Sequence, residues 1–336
     1  MRILVTGGAG YVGSVSVETF LAAGHEVVVL DDLSTGHASA VSDGARLDEG
    51  SYGDEDATFE ILHRARIDAI LHCAARSLVG ESIANPGRYY RDNVGGGIAL
   101  LEAARRADVN RIVFSSTAAV YGVPDATPIL EDAPLRPINP YGETKRTFEG
   151  MLRWYGSAYG LRAISLRYFN VAGASERNGE VHDPETHLIP NVLNAVEGGP
   201  ELTVFGADYP TPDGTCIRDY IHVVDLADAH LRALDATAPD DQRLDPGKDL
   251  LVCNLGNGDG FSIRQVLDAT EAVVGRPVPH KLGPRRPGDP PVLVASAKRA
   301  AEVLDWRAQR RSLEEMIGSA WDWRQRHREA FAAASA

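Results

Sequence analysis

A tyrosine and a lysine four residues apart are the residues whose types and spacing most directly suggest chemistry. Tyr141 and Lys145 fall in a stretch, 141–159, whose apolar spacing predicts a helix, so both side chains lie on one helix face. A phenol titrates at about pH 10, and a neighbouring ammonium lowers its pKa, which makes a phenolate base usable near neutral pH. The alternative is a solvent-exposed helix pair without a catalytic role.

A glycine-rich turn near the N-terminus predicts a second site. The segment from Gly7 to Gly13 follows a short apolar strand and opens a helix, and Asp31 ends the next strand. Glycines let the backbone approach a pyrophosphate, whose charge a helix N-terminus favours, and the Asp31 carboxylate can accept hydrogen bonds from an adenosine ribose. Because Asp31 and Asp32 would repel a 2′-phosphate, the pattern favours NAD over NADP. The alternative is a glycine-rich turn that binds no ligand.

Both sites depend on an alternation of strands and helices in the first half of the chain. Short apolar runs predict strands at Ile3–Thr6, Glu26–Leu30, Ala69–His72, Arg111–Ser115 and Ala163–Tyr168. Helical spacing occurs between them, at Tyr11–Ala23, Asp56–Ala65, Tyr89–Ala107 and Tyr141–Tyr159. This order predicts an α/β fold, a Rossmann-like doubly wound parallel sheet with helices on both faces.

The texture of the sequence changes after about Asn170, where loops rich in Pro, Gly and Asp separate fewer regular elements. We therefore expect residues 1–170 to form a dinucleotide-binding domain. Residues 171–336 are expected to form mainly a smaller C-terminal α/β lobe that binds substrate, and late segments of it can return to the sheet.

Composition excludes several classes of protein. The 336 residues carry a formal charge of −13, which opposes binding to nucleic acid or to anionic membranes. No apolar run approaches the roughly 18 residues of a membrane span, and the N-terminus lacks the layout of a signal peptide, so we expect a cytoplasmic protein. The three cysteines contain no CxxC pair, which predicts reduced thiols rather than disulfides or a cysteine-type zinc site.

Seven ordered segments resemble the UDP-galactose 4-epimerase family, in the extended branch of the short-chain dehydrogenase/reductase superfamily. The resemblance runs nearly end to end and is carried by Thr6–Ser14, Val79–Ser82, Phe114–Gly122, Asn139–Lys145, Arg167–Asn170, Asp208–Thr215 and Arg218–Val223. It implies NAD-dependent interconversion of UDP-glucose and UDP-galactose through a transient 4-keto sugar. It also implies a homodimer formed by the helices around residues 89–107 and 141–159.

The resemblance assigns roles to individual residues. Tyr141 is expected to take the proton of the sugar 4-hydroxyl, Lys145 to hold the nicotinamide ribose and tune Tyr141, and Thr117 to bond the reacting hydroxyl. The residues expected to contact NAD are Gly7, Gly10, Tyr11, Val12, Gly13, Asp31, Asp32, Ser34, Thr35, Ser51, Tyr52, Cys73, Ala74, Ala75, Ser77, Asn93, Ser115, Tyr141, Lys145 and Tyr168. Those expected to contact the UDP-sugar are Thr117, Tyr141, Asn170, His187, Leu188, Phe205, Arg218, Tyr220, Arg286, Asp289 and Leu293.

Related activities stay open at this point. Epimerases of UDP-N-acetylglucosamine or UDP-glucuronate share the catalytic residues, and Leu293, near the position that gates sugar size, is intermediate in bulk. Ala118 and Ala119 stand where the resembling 4,6-dehydratases carry acids, so neither can protonate a 6-hydroxyl. A non-catalytic NAD-binding sensor would not need Tyr141, Lys145 and Thr117 together.

Three further features qualify these expectations. Ser51 and Ser77 stand where members of the family carry an aspartate and a lysine near the cofactor, which places those two contacts in question. The segment from His182 to His187 matches no metal-binding spacing, and Pro184 disfavours a helix there. It predicts a loop with solvated side chains and no metal. For Arg218 and Asp219, the alternative to a phosphate site is a surface ion pair.

Overall fold

The computed structural model describes residues 1–245, 250–286 and 289–327. The end of the expected second lobe, residues 328–336, lies outside them. The strands are β1 (Arg2–Thr6), β2 (Glu26–Asp31), β3 (Arg46–Glu49), β4 (Ala69–His72), β5 (Arg111–Thr117), β6 (Arg162–Tyr168), β7 (Asn170–Ala172), β8 (Leu202–Phe205), β9 (Ile217–Arg218), β10 (Tyr220–His222), β11 (Leu251–Leu255), β12 (Phe261–Ser262), β13 (His280–Gly283) and β14 (Val292–Leu293).

Helices follow most of these strands. They are α1 (Tyr11–Ala22), α2 (Glu55–Ala65), α3 (Val79–Ala84), α4 (Pro86–Tyr89), α5 (Gly96–Arg106), α6 (Pro140–Tyr159), α7 (Leu188–Val196), α8 (Val223–Ala236), α9 (Ile263–Val274), α10 (Lys298–Val303) and α11 (Leu313–Arg326). Within the described ranges, none of the helices is long and apolar enough to cross a membrane.

Seven parallel strands form the central sheet, in the order β11-β6-β5-β4-β1-β2-β3. The strand order reverses between β1 and β4, and ligands of such sheets bind beyond the carboxyl ends of the strands at this point. The α/β class and the parallel sheet are confirmed. The last strand, β11, comes from the second half of the chain and lies beside β6.

Helices cover both faces of the sheet because each strand is apolar on both sides. On one face Phe20 of α1 and Leu226 of α8 pack against the strands, and on the other Leu100 of α5 and Phe148 of α6 do so. The remaining elements form a smaller core, in which Val192 of α7 packs with residues of α9 and α11. Short two- and three-stranded sheets, β7 with β10, β8 with β13, and β12 with β9 and β14, border this second core.

The predicted helix at Tyr89–Ala107 is wrong as a single element. The structure has α4, then a π-helical segment at Tyr90–Gly95, then α5. One extra residue in the turn changes which side chain faces inward, and such segments occur mostly at functional sites. Here the turn directs Asn93 into the protein, where it is 5% exposed. Strand β3 and helix α3 carried no periodicity long enough to predict them.

Candidate functional site

The glycine turn after β1 is packed so closely that side chains are excluded. A Cβ atom on Gly13 would lie 2.0 Å from the Gly7 carbonyl oxygen, and one on Gly7, where φ is +73°, would lie 2.6 Å from the Ala74 nitrogen. Helix α1 starts at Tyr11 with Gly10 as its N-cap, and no side-chain hydrogen bond caps it. Its first N–H groups are therefore available to an anion, so this turn fits the pyrophosphate of a dinucleotide.

Asp31 joins the end of β2 to the glycine turn. Its buried carboxylate accepts the backbone N–H groups of Ala9 and Leu33, each at 2.9 Å. Burial raises the pKa of Asp31, and these two hydrogen bonds oppose the rise. Each oxygen keeps a further lone pair that can accept a hydrogen bond from a ribose hydroxyl. The sequence did not predict that Asp31 also fixes the conformation of the glycine turn. Asp32 is exposed and accepts the Ser34 N–H at 3.0 Å.

Tyr141 stands in the first turn of α6, against the end of β5. Asn139 caps this helix by accepting the Gly142 N–H at 2.8 Å. Gly142 allows a close approach, since a Cβ atom there would lie 2.5 Å from the Ala119 carbonyl oxygen. The approach brings the Tyr141 hydroxyl into a hydrogen bond with the Thr117 side chain. The two residues that the resemblance assigns to the sugar 4-hydroxyl therefore lie side by side.

The ammonium of Lys145 is buried beneath β5. It donates to the Ser115 carbonyl oxygen at 2.7 Å and lies 4.6 Å from the centre of the Phe114 ring. Burial lowers the pKa of Lys145 to about 8. We expected Lys145 to lower the pKa of Tyr141, and this role stays a prediction. Burial raises the pKa of Tyr141, the Thr117 hydrogen bond opposes the rise, and Lys145 faces the strand instead.

Ser115 links the carboxyl ends of three neighbouring strands. Its hydroxyl lies 3.2 Å from the Cys73 sulfur and 3.0 Å from His230 Nε2, and it is hydrogen-bonded to Tyr168. Burial raises the pKa of the Cys73 thiol to about 11, so the thiol stays neutral. The prediction of free thiols is confirmed for all three cysteines. Three of the residues expected to contact NAD are therefore joined in one network.

Asn93 positions the loop after β4. Its amide donates to the Arg76 carbonyl oxygen at 3.0 Å and to Thr144 Oγ1 at 3.1 Å, while its oxygen accepts the Arg76 N–H at 2.8 Å. Tyr52 supports the same turn by donating to the Asp92 carbonyl oxygen at 2.7 Å. The π-helical segment thus ties helix α6 to the loop that contains Ala74, Ala75 and Ser77. Both Ser51 and Ser77 are exposed, and their contacts to a cofactor stay predictions.

A buried ion pair that involves the same helix as Lys145 was not predicted from the sequence. Glu149 Oε2 lies 2.6 Å from Arg167 Nη2, and each side chain is 4% exposed. Ser116 and Ser165 donate to the other Glu149 oxygen at 2.7 and 2.8 Å, which satisfies the pair. The sequence contained a signal for a buried carboxylate. Glu149 follows Lys145 by four residues and therefore lies on the same face of α6, among apolar side chains.

In the second lobe, four of the residues expected to contact substrate form what we call the arginine group: Phe205, Arg218, Arg286 and Asp289. Arg218 pairs with Asp289, and the Arg286 guanidinium lies 4.1 Å from the centre of the Phe205 ring. Leu293 lies next to Arg218 in the β9–β14 pairing and packs against Val120 and its neighbours.

The alternative of an ion pair between Arg218 and Asp219 is wrong. Asp219 is fully buried, and its carboxylate accepts the N–H groups of Asn257 at 2.7 Å and Ala295 at 2.9 Å. Burial raises the pKa of Asp219 to about 6. Asp219 therefore holds the loops that shape the arginine group. Asn170 donates to the Asp219 carbonyl oxygen at 2.9 Å and pairs with the buried Tyr220 between β7 and β10.

The segment before α7 differs from its prediction in one respect. It is a loop, as predicted, and Asp183, Thr186 and His187 are exposed, but its two glutamate side chains are largely buried. Glu180, His182, Glu185 and His187, here named the Glu–His cluster, face one another, and the two glutamate side chains are 7% and 12% exposed. His187 Nδ1 lies 2.5 Å from Glu180 Oε1. Burial opposes a charge on His187, yet the two glutamates outweigh it and raise its pKa to about 10.

Comparisons with known proteins identify the family of the chain. The family model described as the NAD dependent epimerase/dehydratase family matches residues 3–245. A UDP-glucose 4-epimerase of Streptomyces lividans is 51% identical over 328 residues, 97% of each chain.

Two solved structures are also similar. One is a UDP-glucose 4-epimerase from Brucella ovis in complex with NAD, with a TM-score of 0.90 and 44% identity over 96% of this chain and 98% of that one. The other, from Bifidobacterium longum in complex with NAD+ and UDP, has a TM-score of 0.90 and 34% identity over 98% of this chain and 100% of that one.

Proposed function

Because the chain belongs to the NAD dependent epimerase/dehydratase family, we propose that it interconverts UDP-glucose and UDP-galactose through a transient 4-keto sugar. One observation carries this proposal: Tyr141, Thr117 and Lys145 meet at the carboxyl end of β5, beside the glycine turn and the reversal point of the sheet. Similarity to a UDP-glucose 4-epimerase over 97% of each chain supports the choice of reaction.

NAD suits the glycine turn and Asp31, and it supplies the acceptor and later the donor of the hydride at C4 of the sugar. Tyr141 and Thr117 are the residues placed to handle the proton of the sugar 4-hydroxyl. The Tyr141 oxygen takes that proton as the ketone forms and returns it when the hydroxyl is restored on the other face, so protons balance over one turnover. The Thr117 hydroxyl orients the reacting oxygen.

Lys145 contributes a positive charge that is still present near neutral pH. With a pKa lowered to about 8 by burial, its ammonium can donate to a ribose hydroxyl while it stays anchored on the Ser115 carbonyl oxygen. We infer that Lys145 acts on the cofactor ribose, and that its influence on Tyr141 depends on that contact. The Glu149–Arg167 pair holds the helix face from which Lys145 extends.

The arginine group suits the nucleotide part of a UDP-sugar. Guanidinium groups bind pyrophosphate through paired hydrogen bonds, and the Phe205 ring offers a flat apolar face. Arg218 is 12% exposed and already paired, so part of its charge is offset before substrate arrives. We propose that Asp289 binds the uridine ribose, and that Asn170, His187, Leu188, Tyr220 and Leu293 complete the sugar pocket.

The loop after β5 favours epimerisation over dehydration. Ala118 and Ala119 form the short turn that follows Thr117, and their methyl groups have no proton to give to a 6-hydroxyl. A sensor that binds NAD without catalysis is a rival from another class, and it would not need the half-buried Tyr141–Thr117 contact. Epimerases of UDP-N-acetylglucosamine and UDP-glucuronate are the nearer rivals, because Leu293 excludes neither sugar.

We further propose a cytoplasmic homodimer, with residues 1–170 binding NAD and residues 171–336 mainly binding the sugar nucleotide. Exposed apolar side chains on the helices of the expected interface support the dimer: Tyr90 (42% exposed), Ile98 (47%) and Trp154 (74%). Light scattering on the purified protein tests this, and a monomeric mass at micromolar concentration would contradict it.

The experiment that tests the activity is a panel of sugar nucleotides assayed side by side with the NAD-loaded protein. We expect UDP-galactose and UDP-glucose to interconvert, with slower or no turnover of UDP-N-acetylglucosamine and UDP-glucuronate. Conversion of only one of the latter two would replace the substrate assignment, and release of a 4-keto-6-deoxy product would indicate a dehydratase. A protein that binds NAD and converts none of the four would be a sensor.

A further inference from the structure

The Glu–His cluster contains four potential metal ligands within eight consecutive positions, 180–187. One donor atom from each of Glu180, His182, Glu185 and His187 lies within 4.8 Å of every other. His182 Nδ1 lies 3.1 Å from Glu180 Oε1 and 3.8 Å from Glu185 Oε2, and His187 Nδ1 lies 3.4 Å from Glu185 Oε1. Both imidazoles thus direct the same ring nitrogen toward both carboxylates.

Hydrogen bonding within the cluster leaves one donor atom unsatisfied. His187 Nδ1 lies 2.5 Å from Glu180 Oε1, whereas His182 Nδ1 is buried and forms no hydrogen bond of standard geometry, although Glu180 Oε1 lies 3.1 Å away. A buried nitrogen in this state costs free energy. Two carboxylates so close together also repel each other.

A divalent cation removes both problems at once. It neutralises two carboxylates and accepts a lone pair from each neutral imidazole, including the unsatisfied nitrogen of His182. Two nitrogen and two carboxylate ligands suit Zn²⁺ rather than Ca²⁺ or Mg²⁺, which take oxygen ligands. Tetrahedral zinc with bonds of about 2.0–2.1 Å separates its ligand atoms by roughly 3.3 Å. The histidine and glutamate donor atoms here lie 2.5 to 3.8 Å apart and every pair lies within 4.8 Å, so zinc binding requires movements of up to about 1 Å.

From this geometry we propose that Glu180, His182, Glu185 and His187 form a binding site for Zn²⁺ or a similar transition-metal ion. The bound ion holds the loop before α7 in one conformation. The loop begins beside the glycine turn, where Tyr11 donates to the Gly173 carbonyl oxygen at 2.6 Å, and it ends at His187, an expected sugar contact. The His187 side chain is 51% exposed, so the cluster is accessible from solvent.

The role we assign is positional. None of the four side chains contacts Tyr141, Thr117 or Lys145 among the described hydrogen bonds and ion pairs, and proton transfer at the sugar requires no Lewis acid in the mechanism above. The ion instead fixes the orientation of the His187 backbone and of the start of α7. This inference goes beyond the proposed function and stands independently of it.

Untagged, NAD-loaded protein is stripped with a chelator and titrated with Zn²⁺ in a calorimeter, and the bound metal is counted by mass spectrometry. We expect one Zn²⁺ per chain. Replacement by Co²⁺ should give the visible absorption of a four-coordinate nitrogen and oxygen site. His182→Ala and Glu185→Gln should each weaken zinc binding by more than about 100-fold, since loss of an outer-shell partner alone costs 10–100-fold.

The matched control is His280→Ala, which removes an exposed histidine far along the chain from the cluster. It should retain the wild-type affinity and stoichiometry. Retained NAD and an unchanged far-ultraviolet spectrum show that each variant is folded, and His182→Asn serves if the alanine variant is not. Zinc binding no stronger in the wild type than in His182→Ala would overturn the proposal. Because the readout is bound metal, this outcome is distinct from a loss of epimerase activity.

Discussion

The proposed catalytic centre, formed by Thr117, Tyr141 and Lys145, differs in its support from the arginine group of the second lobe. Lys145 is 4% exposed and is anchored on a backbone carbonyl group of the central sheet. Arg218, in contrast, donates to the carbonyl oxygen of its neighbour Ile217 and pairs with a carboxylate that is itself 25% exposed, and Arg286, in an exposed loop, lies over the Phe205 ring of β8. The first region is built before substrate arrives, whereas the second must exchange its internal partners for those of the ligand.

This difference indicates a division of labour. Proton transfer needs atoms held within tenths of an ångström, which a buried network provides. A nucleotide site must also release its product. Release is easier when side chains of the protein, such as Asp289, compete with the ligand for the arginines. Substitutions in the buried region should therefore affect turnover and stability, and those in the arginine group should affect substrate affinity.

Tyr141→Phe should have the largest effect. It removes the acceptor of the sugar hydroxyl proton and keeps the ring, so kcat should fall by about 1,000-fold or more while NAD content stays at the wild-type level. Tyr159→Phe, on the exposed end of the same helix, is the control and should leave kcat unchanged. Turnover within tenfold of wild type in Tyr141→Phe would show that another group is the base.

Glu149→Gln should cost the most stability. It leaves the Arg167 guanidinium buried without its counter-ion, and breaking such a pair costs about 3–5 kcal/mol of unfolding free energy. Glu143→Gln, which breaks the exposed Arg146 pair on the same helix, should cost less than about 0.5 kcal/mol. Urea unfolding monitored by circular dichroism measures both. Equal losses of unfolding free energy in the two variants would show that the buried ion pair contributes no more to stability than the exposed one.

Lys145→Met should change how stability depends on pH. Burial lowers the Lys145 pKa from 10.5 to about 8, so between these values the unfolded chain binds a proton that the folded protein does not. As the pH falls through this window, the wild type should lose about 3 kcal/mol relative to the variant, and below pH 8 the difference should be constant. Unfolding free energies at matched NAD content provide the measurement. A difference that does not vary between pH 8 and 10.5 would show that the amine is solvated.

Arg218→Met should have the smallest effect of the four substitutions, and it should change substrate affinity rather than turnover or stability. Loss of a guanidinium–phosphate contact should raise KM for the UDP-sugar by about 10- to 100-fold and change kcat less. Arg285→Met breaks a comparable pair with Asp208 outside the assigned residues, and it should leave KM near the wild-type value. Steady-state kinetics of both variants decide. A fall in kcat with unchanged KM would place Arg218 with the catalytic centre.

Local sequence was sufficient for the parts of the site that local geometry determines. A spacing of four residues places Tyr141 and Lys145 on one helix face whatever the tertiary structure, and glycines in a strand–helix turn have few other uses. The direction of the Lys145 ammonium could not be predicted in the same way. It depends on which carbonyl group of β5 lies beneath α6, and Gly142 sets that distance through a contact with Ala119.

Contacts between distant segments account for the remaining differences. Arg218 was expected to have Asp219 as its alternative partner because the two are adjacent, but β9 directs the arginine toward Asp289, 71 residues later. The Glu–His cluster was interpreted as solvated because its spacing fits no regular element. It forms because an irregular loop folds back on itself, and periodicity carries no signal for that arrangement.

Redesign of cofactor preference meets a constraint at the end of β2. Replacing Asp31 to admit the 2′-phosphate of NADP would also remove the acceptor for the Ala9 and Leu33 N–H groups. A buried donor left without an acceptor costs about 1–3 kcal/mol, so that substitution would loosen the turn it is meant to retune. Asp32 is exposed and accepts one hydrogen bond from a neighbour in its own loop. An engineered switch to NADP therefore belongs at Asp32 and the loop after it, with Asp31 retained.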